Sequence, residues 1–419
     1  MSTETGHATL IELIRIEIRK RGPQSFAWFM EQALYHPEHG YYSSGHCVIG
    51  RKGDYFTNVS VGPLFGQLLG AQFAQIWQEL GKIDNFVVVE QGAHDGRFAH
   101  DVLESAQKHA PGFFAALRYR IVEPFPILQE QQSRTLELFR DKVEWCGSLQ
   151  SFVGVHFSNE LLDAMPVRLI SGDMEKLVGL DGDRFVFVKR PLSQGATASP
   201  PSQGKGAFNQ PALEWIDDVA AKLQRGYVIA IDYGRLGDEF QAKVQVRAQH
   251  RNLDSPFEQI GYADITMHVD WSTIVERAQA NGLRVVGFTD QHHFLTGIIS
   301  ELGRGDSPEP PTGDWGQSSL PDSPKTKREL QTLLHPEMLG RAFQVLALEK
   351  KVAEPAKRGQ LLQPRSDTTR KESDRRSWAT QPILGIGCAP SAERVDPEAP
   401  RLAGFKFARE PRSALNALQ

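Results

Sequence analysis

Three groups of residues have the types and spacing for chemistry. The first is Glu90-Gln91-Gly92-Ala93-His94-Asp95-Gly96. Its glycines let a backbone close on a ligand, the turn and the next helix offer N–H donors, and an acidic side chain at a strand end takes cationic or hydroxyl groups. The second is Glu123, closing the run Tyr119-Arg120-Ile121-Val122, a carboxylate placed to accept from both hydroxyls of a ribose. The third is Asn159-Glu160-Leu161-Leu162-Asp163. Asn159 has an amide oxygen for a substrate N–H, and Glu160 and Asp163 share a face if the segment turns helically. Two carboxylates beside one pocket favour a cationic substrate. Arginine is the hardest such case, because its guanidinium needs charge to localise a lone pair and a route for the proton it sheds. Each group also has a plainer reading: an ordinary βα turn, a Glu123 that caps the helix entered at Pro124, and an Asn159 and Asp163 that cap a turn while Glu160 is solvated.

The glycine spacing narrows the ligand. A dinucleotide site reads G-x-G-x-x-G, and a P-loop carries a lysine after its glycines. Here the run is Glu90-x-Gly92-x-x-x-Gly96 without that lysine. A carboxylate ahead of Gly92 suits a ligand bearing an ammonium and repels a pyrophosphate. S-adenosylmethionine fits that description.

These groups need a scaffold of strands and helices. Phe86-Val87-Val88-Val89 reads as a strand buried on both faces. After it the pattern predicts helix over 96–109, strand over 119–123, helix over 126–140 and strands over 143–146 and 153–158. Further on it predicts helix over 211–224, strand over 227–232, helix over 271–280 and strands over 283–288 and 342–348. Such alternation means parallel strands covered by helices, a doubly wound α/β fold with its reactive groups at the carboxyl ends of the strands. Short alternating runs around Gly172-Asp173 and Asp181-Gly182 predict a small antiparallel insert within 166–210. Ahead of the sheet, two amphipathic helices are expected, the first ended by Gly22-Pro23 and the second capped by Ser25. They should pack on the domain that follows. Between them and an apolar helix starting at Leu64 runs a glycine- and aromatic-rich loop over 36–61, of a kind that more often binds than merely connects. The stretch over 303–325 reads as a mobile surface loop and 352–419 as a disordered tail. The expected organisation is thus N-terminal helices and covering loop over 1–61, the catalytic domain over 62–351, and the tail.

Composition sets the class. With 419 residues, 40% of them hydrophobic, and a net charge of -4, the chain can bury a large core and has no general pull toward nucleic acid. Neither a signal peptide nor a membrane span is apparent, so the cytosol is expected. The three cysteines, Cys47, Cys146 and Cys388, form no Cys-x-x-Cys, which predicts neither a disulfide framework nor a metal site.

Taken together, several motifs resemble the MidA family. They are Tyr35-His36-Pro37-Glu38-His39-Gly40-Tyr41-Tyr42, Gly53-Asp54-Tyr55-Phe56-Thr57, Glu90-Gln91-Gly92 with Gly96, and Asn159-Glu160 with Asp163-Ala164. Asp232-Tyr233-Gly234, Asp264-Ile265-Thr266 and Gln291 with Phe294-Leu295 complete the series. The family includes the mitochondrial arginine methyltransferase that assists assembly of respiratory complex I. The resemblance implies a class I methyltransferase, a Rossmann-like seven-stranded sheet with its last strand antiparallel, S-adenosyl-L-methionine as methyl donor and a protein arginine as acceptor. Carried onto this sequence, it implies that Glu90, Gly92, Gly96 and Glu123 hold the donor and that Gly53, Asp54 and Thr57 belong to a loop closing over it. Asn159, Glu160 and Asp163 would line the acceptor side, with Glu160 holding the guanidinium. Two departures stand out: His94 occupies a further glycine position of the family, and Gln245-Val246-Arg247 replaces its usual Gly-Thr-Leu-Arg. His94 gives weight to a rival reading, a non-catalytic assembly protein with a remnant pocket; a dinucleotide-dependent oxidoreductase is the third.

Overall fold

A computed structural model describes residues 5–45, 57–192, 206–304 and 323–351. Gly53, Asp54, Cys47, Cys388, the expected tail and most of the stretch over 303–325 lie outside the described residues.

The central sheet is built on β1 (Phe86–Gln91), β2 (Leu117–Val122), β3 (Val143–Cys146), β4 (Phe152–Asn159), β5 (Leu223–Arg235), β6 (Arg284–Asp290) and β7 (Phe343–Lys350). Their spatial order is β3-β2-β1-β4-β5-β7-β6. From β3 to β5 all neighbours are parallel, whereas β7 runs antiparallel to both β5 and β6. The sheet has eight strands rather than the seven expected, because Val269–Asp270 pairs with Gly234–Arg235 beyond the main path.

The β1 sequence explains its place at the centre. Phe86 and Val88 enter an apolar layer with helices Leu64–Glu79 and Arg97–His109; Val87 and Val89 face the opposite layer, with helices Gln210–Lys222 and Trp271–Ala280. Alternate side chains of one strand therefore feed two cores, which is why the run is apolar throughout. Phe98, on the helix after the glycine turn, stacks on Phe157 of β4 at 4.3 Å between ring centroids. That contact fixes the turn relative to the two strands beside it.

Both N-terminal helices form where expected. Gly22 caps Ala8–Arg21, and the Ser25 hydroxyl accepts from Trp28 N at 3.1 Å to open Phe26–Tyr35. They pack on the domain that follows, as expected, through its insert and a second small sheet. Leu10, Ile14, Phe29 and Met30 join a third core with Val178 and Phe185 of the insert and Val246, Ile265 and Met267 of a second small sheet. Gln24–Ser25 adds a strand to the insert's hairpin of Met174–Asp181 and Arg184–Pro191, which ties the helices to that unit. The second small sheet, Val244–Ala248 with Arg251–Asn252 and Asp264–Met267, had no counterpart in the sequence reading. Helices Gln291–Arg304 and Pro324–Leu334 occupy both ends of the stretch expected to be loop.

Candidate active site

Parallel register brings the three residue groups together. Gln91 of β1 lies opposite Val122 of β2 and Ser158 of β4, and Asn159 lies opposite Ile231 of β5. Glu90, Glu123 and Asn159 thus lie at the carboxyl ends of neighbouring strands, nearly level with Asp232 of β5, each strand about 4.8 Å from the next. Two cavities open above these ends.

The larger, about 510 Å³, is lined by Thr57, Glu90, Gly92, His94, Glu123, Asn159 and Glu160, with an apolar wall that includes Val122, Leu128 and Leu149. Gly92 has φ +83°, and a Cβ there would meet Leu161 Cδ1 at 3.4 Å. Gly96 does not line the cavity. It caps the following helix at φ +82°, facing Gln132 and Leu136. His94 adopts φ +47°, a left-handed conformation that a glycine takes without strain. Its carbonyl accepts from Gln132 Nε2 at 2.9 Å, and the residue lines the cavity without filling it.

Gln132 is a buried hub that the sequence reading missed. Besides His94 it donates to Glu123 Oε2 at 3.1 Å, and its own Oε1 accepts from Trp145 Nε1 at 3.0 Å. Glu123 Oε1 accepts from Phe125 N at 3.0 Å. Each carboxylate oxygen keeps a lone pair for a further donor, as binding a ribose requires. Burial raises the Glu123 carboxyl above its ordinary range. Deeper in, Glu90 accepts from the Tyr119 hydroxyl at 2.6 Å, and burial pushes its carboxyl up to about 8.

The smaller cavity, about 250 Å³, is lined by Glu160, Asp163, Tyr233, Arg247, Asp264 and His268 among others. Glu160 lines both cavities. The segment after β4 does not turn helically, the condition for Glu160 and Asp163 to share a helix face: Glu160 stands at φ +53°, with its N–H on Ile231 O at 2.9 Å. Left-handed backbone at a non-glycine residue stores on the order of 1–3 kcal/mol and clusters at functional positions. The side chain is pinned through Oε1, which accepts from Asn159 Nδ2 at 2.8 Å and from Asn58 N at 3.2 Å. Asn58 Nδ2 in turn donates to Asn159 Oδ1 at 2.9 Å. Burial pushes the Glu160 carboxyl up to about 8, with Asp232 and Asp264 adding to the rise.

Asp163 does not reach the larger cavity; it faces only the smaller one. Its carboxyl is held well above the usual range by burial, and then by the charges of Asp232, Asp264 and Glu160. Asp232 holds the turn by accepting from Leu162 N at 2.8 Å and Asp163 N at 3.2 Å. The Tyr42 hydroxyl donates to Asp264 Oδ1 at 2.6 Å, linking the aromatic loop to the acidic wall. Asp232 and Asp264 lie within motifs apparent in the sequence, but no role could be assigned to them there. Their partners are some 70 and 220 residues away.

A family model of S-adenosyl-L-methionine-dependent methyltransferases matches residues 68–289. The chain belongs to that family. Among curated proteins, it is 26% identical over 340 residues to the Drosophila melanogaster "Protein arginine methyltransferase NDUFAF7 homolog, mitochondrial", covering 71% of this chain and 76% of the relative. The human protein arginine methyltransferase NDUFAF7 is 26% identical over 330 residues, covering 68% and 72%. A Burkholderia thailandensis protein crystallised with S-adenosyl-homocysteine matches with a TM-score of 0.70 and 28% identity, over 83% of this chain and 93% of that one. The methyltransferase's donor is S-adenosylmethionine. The larger cavity fits it: a glycine bend without a Cβ, a carboxylate with open lone pairs, and an apolar wall for a base.

Proposed function

We propose that this methyltransferase modifies an arginine of a protein, holding the donor in the larger cavity and the acceptor guanidinium in the smaller. The observation that carries the reading is Glu160, whose side chain lines both cavities and is therefore shared by donor and acceptor sides. The relatives named protein arginine methyltransferases support it.

S-adenosylmethionine supplies an activated, cationic methyl group when bound. The chain's residues do the rest. Glu123 is proposed to hold the ribose, and Glu90, Gly92 and Thr57 to line the remainder of the donor's seat. Gly53 and Asp54 belong to the same proposal as parts of a covering loop. Glu160 orients a guanidinium nitrogen, and Asn159, tied to Asn58, keeps the Glu160 carboxyl aimed. Asp163 and Asp264 complete an acidic wall that favours a cation over a neutral side chain. A guanidinium entering this wall lowers the carboxyl pKa values, so protons leave as it binds. The carboxylates are then positioned to take the proton that the nitrogen sheds. Alignment and desolvation account for most of the rate.

A link to assembly of respiratory complex I rests on family resemblance alone and is part of the proposal. So is the cytosolic compartment, to which the mitochondrial names of the relatives lend no support; fractionation of cells expressing the tagged chain decides it. Among the described residues no helix is long and apolar enough to cross a membrane. The acceptor is tested by incubating lysate with the protein and labelled S-adenosylmethionine, then mapping the modified residue by mass spectrometry. Label on arginine of a protein is the expected result; label only on lysine, carboxyl groups or small molecules overturns it.

A further inference from the structure

The smaller cavity has two electrostatic walls, and the proposed acceptor accounts for one. Glu160, Asp163 and Asp264 make the acidic side. Arg247 and Arg235 line the same cavity. Arg247 is half-buried on the strand Val244–Ala248, directly opposite Asp264 in the antiparallel register. Side chains so placed share one face of the sheet. Even so, Asp264 accepts from the Tyr42 hydroxyl among its partners, and among the described residues the hydrogen bond of Arg247 runs from Nη2 to Gln245 Oε1 at 2.8 Å. Arg247 Nε is buried without a partner, and among the described residues no carboxylate forms an ion pair with it. Arg235 is exposed and, among the described residues, bonds its neighbour's carbonyl, Gly234 O, at 2.8 Å. His268, which lines the same cavity, has its pKa lowered by burial and by the charges of Arg235, Arg247 and Lys243, so it adds no further cation at neutral pH.

A half-buried guanidinium with unused donors is an anion site in waiting. That anion is not part of the methyl donor's seat, because neither arginine lines the larger cavity. A purely cationic acceptor segment would also be repelled by this wall. We infer that the acceptor segment carries a carboxylate beside the arginine that is methylated, and that Arg247, with Arg235 at the mouth, binds that carboxylate. The inference rests on the protein-arginine reading above and adds a sequence preference to it: an aspartate or glutamate neighbouring the acceptor.

The test uses the full chain, labelled S-adenosylmethionine and two matched sets of synthetic arginine peptides. One set has aspartate or glutamate at the positions flanking the arginine, the other asparagine or glutamine. The acidic set should show KM about tenfold lower at similar kcat. In Arg247→Gln, and in the exposed second variant Arg235→Gln, the gap should shrink, and Arg247→Glu should turn the preference toward lysine-flanked peptides. Melting temperature and S-adenosylhomocysteine affinity report whether each variant is folded. Equal KM values for the two sets in the wild type overturn the inference and leave the arginine reading standing. So does a preference that survives in the double variant. If no arginine peptide is methylated, calorimetry with S-adenosylhomocysteine present separates the two ideas. Tighter binding of the acidic set supports the anion site, whereas equal or absent binding overturns it along with the acceptor.

Discussion

Replacing Glu160 by glutamine removes the titrating carboxyl at the junction of the two cavities and changes little else. Both donors that hold the side chain, Asn159 Nδ2 at 2.8 Å and Asn58 N at 3.2 Å, reach Oε1, and an amide oxygen accepts them equally well. In the ligand-free protein, burial holds the Glu160 carboxyl near 8, against 4.5 for an ordinary glutamate. Between those values the folded protein keeps a proton that the unfolded chain has lost. For a carboxyl raised in this way, the stability is fully present below the unfolded value of 4.5 and is lost as pH rises through the folded value near 8. Glutamine has no such dependence. From about pH 5 to about pH 8, the stability difference should therefore move in favour of Glu160→Gln by on the order of 3 kcal/mol. Asp163 and Asp232 titrate in both proteins, and the repulsion that an ionised Glu160 adds at Asp163 shifts the difference in the same direction. Urea unfolding of the two ligand-free proteins at stepped pH reads this difference directly. Parallel stability curves would refute the argument, because they would mean that the carboxyl is solvated and already ionised. Methyl transfer, followed with the same variant, should fall by about a hundredfold or more while S-adenosylhomocysteine affinity holds within about threefold.

Three further outcomes follow from the same geometry. Binding of an arginine peptide at about pH 7 should expel close to one proton as Glu160 ionises beside the cation. Calorimetry in buffers of different ionisation enthalpy measures it, and zero release would contradict the protonated cavity. Gln132→Leu removes bonds to the His94 carbonyl, to Glu123 and from Trp145. It should cost about 3 kcal/mol of stability and weaken S-adenosylhomocysteine binding about tenfold, and an unchanged affinity would remove Gln132 from any positioning role. His94→Gly trades backbone strain at φ +47° against chain entropy. Stability should stay within about 1 kcal/mol with the ligand still bound, whereas loss of binding would make the imidazole a direct contact.

Much of the scaffold was legible because it depends on local order. Four apolar residues in a row specified the central strand Phe86–Gln91, and Ser25 and Gly22 bounded the first helices. The helix Trp271–Ala280 and the strand Val143–Cys146 came out at their expected limits, since periodicity and end signals coincide there. That Glu90, Gly92 and Glu123 come together was equally readable: they sit at strand ends, where a doubly wound sheet puts its ligands, and all three line one cavity. Gly96 was misjudged because the spacing that bends a chain also serves to cap a helix, and only packing against Gln132 and Leu136 distinguishes the two uses. The sequence by itself therefore determined the sheet, its ligand-bearing edge and the family. The smaller cavity, by contrast, was assembled only by the tertiary structure. Tyr42, Asn58, Arg247 and Asp264 come from a loop, a short helix and a small sheet with no strong periodic signal, and they meet Asp232 of β5 only in the folded chain. Glu160 shows the difference best: its place after a strand is written in the chain, but its burial, its raised pKa and its position between two cavities arise from residues that the sequence keeps far apart.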